Sequence, residues 1–314
     1  MIDAGALLLG NLALDAFFEA WGHKYLKTTG PTDRFDGVFR PSDLSAAALG
    51  DVLDGDRPSL SYRAAYRDGR GSGRTFYAPL ELARALRDAG MTLVWSDVQH
   101  GHPRLAELAA AIGKLVHAQT PISVQCVISP DGQGFPWHHD CTHVLALQIR
   151  GSKRWWLGRT PVAFPPFHQQ ADALEAGRHD LLARLGLRYE LPRDDDADEV
   201  ELVPGDMLYV PPGMWHRAEA RGESTHLSIL VRPLTFGRVV RAAMTGAALR
   251  NQTWRADIQH MSRPELLQFL TVRLAETRRF LAGLTPEQLI ADFEMLAASP
   301  TLRDIVLERS REVL

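Results

Sequence analysis

Apolar positions change their spacing along this chain. From residue 11 to 26, Leu12, Phe17, Phe18, Trp21 and Tyr25 recur at helical intervals and predict an amphipathic helix. Arg40–Leu53 opens with Pro41-Ser42-Asp43, a helix start, and Ala78–Gly90 reads as a helix closed by glycine. Between them, Arg67–Arg74 is glycine-rich and basic, the signature of a loop or hairpin tip. Met91–Val98 predicts a strand and His102–Val116 a helix. From Ile122 the texture becomes short β-rich runs: SVQCVIS, HVLALQI, KRWWLG, VELVPGDMLYVPP, HRAEARG and THLSILVRP. The segments PDGQG, RGS, PGD and ARGES divide them with turn chemistry, as in a sandwich or barrel.

A partly helical interruption over about residues 160–195 splits this β region, and the acidic run Asp194–Glu199 after it reads as a solvated loop. From Arg238 the period is helical again, with Ser262 and Thr285 as helix starts. There Leu266, Leu267, Phe269, Leu270 and Leu274 form an apolar stripe suited to a homodimer contact. Three regions follow: 1–120 flanking the barrel, 121–236 forming it with the insertion, and 237–314 as a C-terminal helical region.

Within the barrel region, FPWHHDCTHVLALQIRGSKRWWL raises a chemical question. Strand alternation puts His138 and Asp140 on one face, at the head of the strand, with Thr142, Val144, Ala146 and Gln148. His143, Leu145, Leu147 and Ile149 take the other face, so the strand is apolar on both sides and is covered on both. Its polar head needs a reason, and a metal supplies one. A third ligand is available downstream, where Pro204-Gly205-Asp206 makes a turn, Met207–Val210 a strand, and Pro211-Pro212-Gly213 a second turn before His216. Two imidazoles and one carboxylate suit non-haem Fe(II), with positions left for a bidentate 2-oxo acid and for dioxygen. Lys153, after the Gly151-Ser152 turn, shares parity with Trp155 and Leu157 on a strand expected to return alongside His143–Arg150. A cation pointing into a barrel needs an anion, and the distal carboxylate of 2-oxoglutarate is one. Arg154 falls on the outer face.

Composition narrows the setting. The chain has 314 residues, 45% hydrophobic and 23% charged, enough for a sizeable core. A net charge of −3 argues against a nucleic-acid partner, and no apolar run is long enough for a membrane span. Only Cys126 and Cys141 are present, and the N-terminus lacks a basic signal-peptide start, so a reducing cytoplasm is expected.

Taken together, SVQCVISPDGQGFPWHHDCTHVLALQIRGSKRWWLG, VELVPGDMLYVPPGMWHRAEA and STHLSILV resemble the JmjC-type cupin 2-oxoglutarate oxygenases. The likeness is to the ribosomal-oxygenase branch, and TLVWSDVQHGHPRLAELAAAI resembles its segment before the barrel. The resemblance spans about residues 10–235. It implies a mainly β fold with flanking helices: a double-stranded β-helix of cupin or jelly-roll type, plus the C-terminal helical region. It implies that His138, Asp140 and His216 bind iron and are catalytic, and that Lys153 holds the 2-oxoglutarate C5 carboxylate. The hydroxyl that helps such a lysine is not where the family usually has it. Ser123, Ser129, Thr142 and Ser228 are the alternatives, with Ser228 and Thr142 favoured. After RSREVL, residues 309–314, no room is expected for the winged-helix domain of ribosomal oxygenases, which weakens the expectation of a ribosomal protein as substrate.

The expected function is Fe(II)- and 2-oxoglutarate-dependent hydroxylation of a protein or peptide side chain, with dioxygen as co-substrate. A small-molecule hydroxylase and a metal-binding cupin without oxygenase activity are the rivals.

Overall fold

The computed structural model describes residues 1–44, 62–67, 73–78, 85–159, 161–165, 168–171, 186, 190, 192–299 and 302. The chain divides into two compact units, Met1–Pro233 and Leu234–Leu314. The predicted helix beyond Leu44, the tip of the basic loop and most of the helix in the insertion lie outside the described residues.

The first unit opens with two short helices, α1 (Ala4–Leu9) and α2 (Leu14–Ala20), and the helix predicted over 11–26 is realised only as α2. They are separated because Gly10, at φ 57°, closes α1. Then come β1 (Leu26–Thr28), β2 (Tyr62–Arg67), β3 (Gly73–Ala78), β4 (Thr92–Trp95), α3 (Pro103–Leu115), β5 (Ser123–Ser129) and β6 (Gly134–His139). They are followed by β7 (His143–Gly158), β8 (Gln169–Gln170), β9 (Ala197–Leu202), β10 (Met207–Val210) and β11 (His216–Val231). Every pairing among these strands is antiparallel. The main path runs β1-β10-β7-β11-β5-β4-β2-β3, with β6 and β9 branching from β11 and β7.

Two features depart from the sequence reading. The chain does not turn back at Gly151-Ser152; HVLALQI and KRWWLG are one strand of 16 residues, β7. HRAEARG and THLSILV likewise fuse into β11, also 16 residues. Their pairing shifts register between Arg221 and Thr225, opposite Gly151. Gly151 (φ 63°) and Gly222 (φ 69°) are bulge residues rather than hairpin corners. A Cβ at Gly151 would sit 2.1 Å from the Glu223 carbonyl oxygen, so only glycine lets the strands cross that closely.

These bulges let each long strand serve two layers. One layer is β10, the first half of β7, the last half of β11, and β5. The other is β9, the second half of β7, the first half of β11, and β6. Between them Val144, Ala146, Leu208 and Val210 pack with Trp155, Leu157, Leu202 and Ala218. The outer face of the first layer, including Leu145, Leu147, Leu227 and Ile229, is covered by Leu8, Phe17, Leu105, Leu108 and Ile112 of the helices. The predicted two-sided burial of His143–Ile149 follows from this arrangement. It is a double-stranded β-helix of cupin type, mainly β with flanking helices.

The acidic run is not a free loop. Asp194–Asp196 make a 3-10 turn and Ala197–Leu202 form β9. Asp194 accepts from Trp137 Nε1 at 2.9 Å and pairs with Arg217, while Glu199 pairs with the outward-facing Arg154 at 2.8 Å.

The second unit holds α4 (Phe236–Arg250), α5 (Arg263–Ala282) and α6 (Pro286–Ala298). Capping boxes start α5 at Ser262 and α6 at Thr285, as the sequence indicated. Val239 and Ala242 of α4 pack on Phe293 and Leu296 of α6. Among the described residues no helix is long and apolar enough to cross a membrane.

Candidate metal centre

His138, Asp140 and His216 converge, each offering a ligand atom within 4.8 Å of the others. Strand pairing brings the histidines together, since His138 on β6 lies opposite His216 at the start of β11. Their rings are 4.1 Å apart. His138 and His139 therefore end β6 instead of heading β7, and Asp140 sits in the bend between the two strands. The Pro211-Pro212-Gly213 turn is tied to that bend, because Gly213 N–H donates to the Asp140 carbonyl at 2.8 Å. Gly213 has φ 80°, and a Cβ there would lie 2.0 Å from the Val162 carbonyl oxygen. The turn needs glycine to hold both neighbours.

Each imidazole is oriented by its Nδ1. That atom lies 2.8 Å from the Pro136 carbonyl oxygen in His138 and 2.9 Å from that of Met214 in His216. With Nδ1–H donating to those carbonyls, Nε2 carries the lone pair a metal needs. His216 Nε2 stands 3.6 Å from Asp140 Oδ2. Burial pushes both histidine pKa values down, further in His138 because His216 adjoins it, so both are neutral at physiological pH. Burial alone would raise the Asp140 carboxyl; the hydrogen bond from His168 and the surrounding imidazoles outweigh it and hold the group well below the usual carboxylate range. Neutral imidazoles beside an ionised carboxylate are the protonation states that bind a divalent cation.

Lys153 lies in the same interlayer core and is fully buried. Its Nζ donates to Ser129 Oγ at 2.8 Å and stands 5.9 Å from the Phe135 ring centre. Among the described residues it has no carboxylate partner. Burial pushes its pKa down to about 7. Thr92 Oγ1, 3.1 Å from Ser129 Oγ, fixes that serine from the far side. If both neighbours donate, the Ser129 O–H remains free to donate to a ligand. His226, 1% exposed, is held neutral first by burial and then by Lys153 beside it, and its Nδ1 has no hydrogen-bond partner. Trp155 packs on both His216 and His226, at 5.8 Å each, and so links the two ends of the core.

The structure thus brings Ser129, not Thr142 or Ser228, to the ammonium. Thr142 is buried in the β6–β7 bend, and Ser228 is buried on β11 opposite Gln125 and Ala146. Other residues near the motif make contacts away from the cluster. His143 stacks on Trp21 at 4.0 Å and bonds Tyr209, Trp215 packs edge-on to His139, and Arg150 pairs with exposed Glu223. His168, in the insertion, escaped sequence reasoning. It lies 28 positions from Asp140 in no periodic pattern, yet its Nδ1 is 2.7 Å from Asp140 Oδ1.

Residues 102–239 match the JmjC domain family. The Bacillus subtilis (strain 168) protein YxbC, described as uncharacterized, is 30% identical over 172 residues, 51% of this chain and 50% of that one. Ribosomal oxygenase 1 of Rattus norvegicus is 27% identical over 214 residues, 66% of this chain and 31% of that one. The chain therefore spans half or less of the length of these relatives. The structure of YcfD, a ribosomal oxygenase from Escherichia coli in complex with cobalt and 2-oxoglutarate, superposes with a TM-score of 0.58. That match covers 91% of this chain and 72% of the other at 19% identity, and shows a shared fold.

Proposed function

We propose that this chain, whose residues 102–239 form a JmjC domain, is an Fe(II)- and 2-oxoglutarate-dependent oxygenase that hydroxylates a side chain of a protein or peptide. One observation carries the reading: a two-histidine, one-aspartate cluster shares its core with a fully buried lysine that has no carboxylate partner among the described residues. The triad accounts for a metal, and the stranded cation accounts for a dicarboxylic co-substrate. Iron in such a site would activate dioxygen, with decarboxylation of 2-oxoglutarate to succinate supplying the electrons.

The chain's own residues set the stage for that chemistry. His138 and His216 would present Nε2, and Asp140 would contribute the negative charge that retains a divalent ion. Lys153 and Ser129 would bind the far carboxylate of 2-oxoglutarate, the lysine by charge and the serine by its remaining O–H. The ammonium is fully buried, with the Phe135 ring centre 5.9 Å away, and exclusion of water strengthens its hold on an anion. The names of the relatives, ribosomal oxygenases among them, favour a macromolecular substrate over a free metabolite.

Two further readings belong with this one. Homodimerisation through α5 is supported by a helix that buries no residue and exposes Leu267, Leu270, Leu274 and Leu281 along one stripe. A cytoplasmic location is supported by the small number of cysteines, Cys126 and Cys141, which form no disulfide with each other.

The test is reconstitution with Fe(II) and 2-oxoglutarate without oxygen, followed by air. Succinate should form, and candidate peptides should gain the mass of one oxygen. Asp140→Ala and His216→Ala should abolish both signals. Metal uptake with no 2-oxoglutarate-dependent oxygen consumption would leave a metal-binding cupin instead. Normal succinate formation by His138→Ala would refute the ligand assignment.

A further inference from the structure

Asp140 has two oxygens and, in a bend, no strand register to aim them. Its backbone is fixed by Gly213, but that leaves the carboxylate free to rotate. Oδ2 faces His216 Nε2 at 3.6 Å, while Oδ1 is held 2.7 Å from His168 Nδ1. His168 is not among the groups whose ligand atoms converge. It arrives from the insertion, immediately before β8, whose Gln169 and Gln170 pair with His139 and His138. The same short segment therefore grips the strand bearing one ligand and the side chain of another. At its start, Val162 N–H donates to the Gly213 carbonyl at 2.8 Å, on the turn leading to the third.

We infer that His168 is a positioning residue for the metal-binding carboxylate: it occupies Asp140 Oδ1 so that Oδ2 alone is presented to the ion. This rests on the metal site proposed above. A hydrogen bond to the distal oxygen of a ligating carboxylate fixes its rotation and limits it to one bond, keeping the remaining positions open. The insertion is then part of the metal centre's framework as well as an appendage of the barrel.

The test is Co(II) titration of the apoprotein, following visible absorption, for the parent, His168→Ala, His168→Asn and Asp140→Ala. Thermal unfolding checks that each variant is folded. His168→Ala should weaken Co(II) binding by about 10–100-fold, the usual effect of losing such a partner. Its bound spectrum should keep the parent's band positions, because the ligand set is unchanged. His168→Asn, whose amide can donate near the place of Nδ1, should restore most of the affinity. Parent-like affinity in His168→Ala would overturn the inference. So would a shifted spectrum, which would make His168 a ligand, or an Asn variant as weak as the Ala variant. Failure of the parent to bind Co(II) would instead refute the metal reading and the inference with it; loss of binding confined to Asp140→Ala would leave the metal reading intact while refuting the role of His168.

Discussion

The β unit and the C-terminal helices break opposite rules of burial. Between the β layers Lys153, His216 and His226 are buried among tryptophan, leucine and alanine. On α5 the reverse holds: leucines at 39–59% exposure face outward from a helix with no buried residue. Both arrangements cost free energy in an isolated chain. A buried polar group short of partners indicates a small, charged ligand, and an exposed apolar stripe indicates a macromolecular surface.

The largest effect should come from Lys153. Lys153→Met should weaken 2-oxoglutarate binding by about 2–5 kcal/mol, the cost of truncating one member of a buried charge pair, as measured by calorimetry. Without ligand the same change should raise the thermal unfolding midpoint, because an unpaired buried cation is replaced by an apolar chain. The pH dependence has a definite sign. Folded Lys153 titrates at about 7, and unfolded lysine near 10.4. Between those values the unfolded chain binds more protons, so this group makes the ligand-free protein more stable as pH rises from about 7 towards about 10. Below 7 it is protonated in both states and adds no slope. The methionine variant should lose this contribution. Affinity for 2-oxoglutarate should run the opposite way and fall above about pH 7 as the anchoring charge is lost. A ligand affinity untouched by Lys153→Met would break the first half of the comparison.

Next in size is the helical stripe. Burying a leucine is worth about 1.5–3 kcal/mol, so Leu267→Glu or Leu274→Glu should shift sedimentation equilibrium from dimer to monomer while helical content is kept. A monomeric parent at micromolar concentration would break the second half. The smallest effect belongs to Ser129→Ala, which removes one hydrogen bond and should weaken 2-oxoglutarate binding by about 0.5–1.5 kcal/mol. Equal loss from Ser228→Ala would return that serine to the anchor role.

Much of the site was legible in the sequence because it is built from local patterns. Alternation placed Lys153, Trp155 and Leu157 on one inward face and Arg154 outside, and the structure has them there. The turns at Pro204–Asp206 and Pro211–Gly213 and the strand start at His216 were readable from proline and glycine. Glycine also misled. Gly151 and Gly222 signal positive φ, but a positive φ serves a hairpin corner and a bulge equally, and only the partner strand decides which. Ser129 could not be selected from four candidate hydroxyls, because β5 reaches Lys153 only by way of the second half of β11.

By itself the sequence determined the strand periodicity, the kinds of ligand available and the inward parity of the lysine, since each depends on neighbours a few residues apart. The tertiary structure alone decided that His138 and His139 close β6, that two long strands bend through both layers, and that His168 reaches Asp140. Those outcomes depend on pairing between distant segments, whose register is set by burial and backbone hydrogen bonding across the whole sheet and leaves no local mark on the chain.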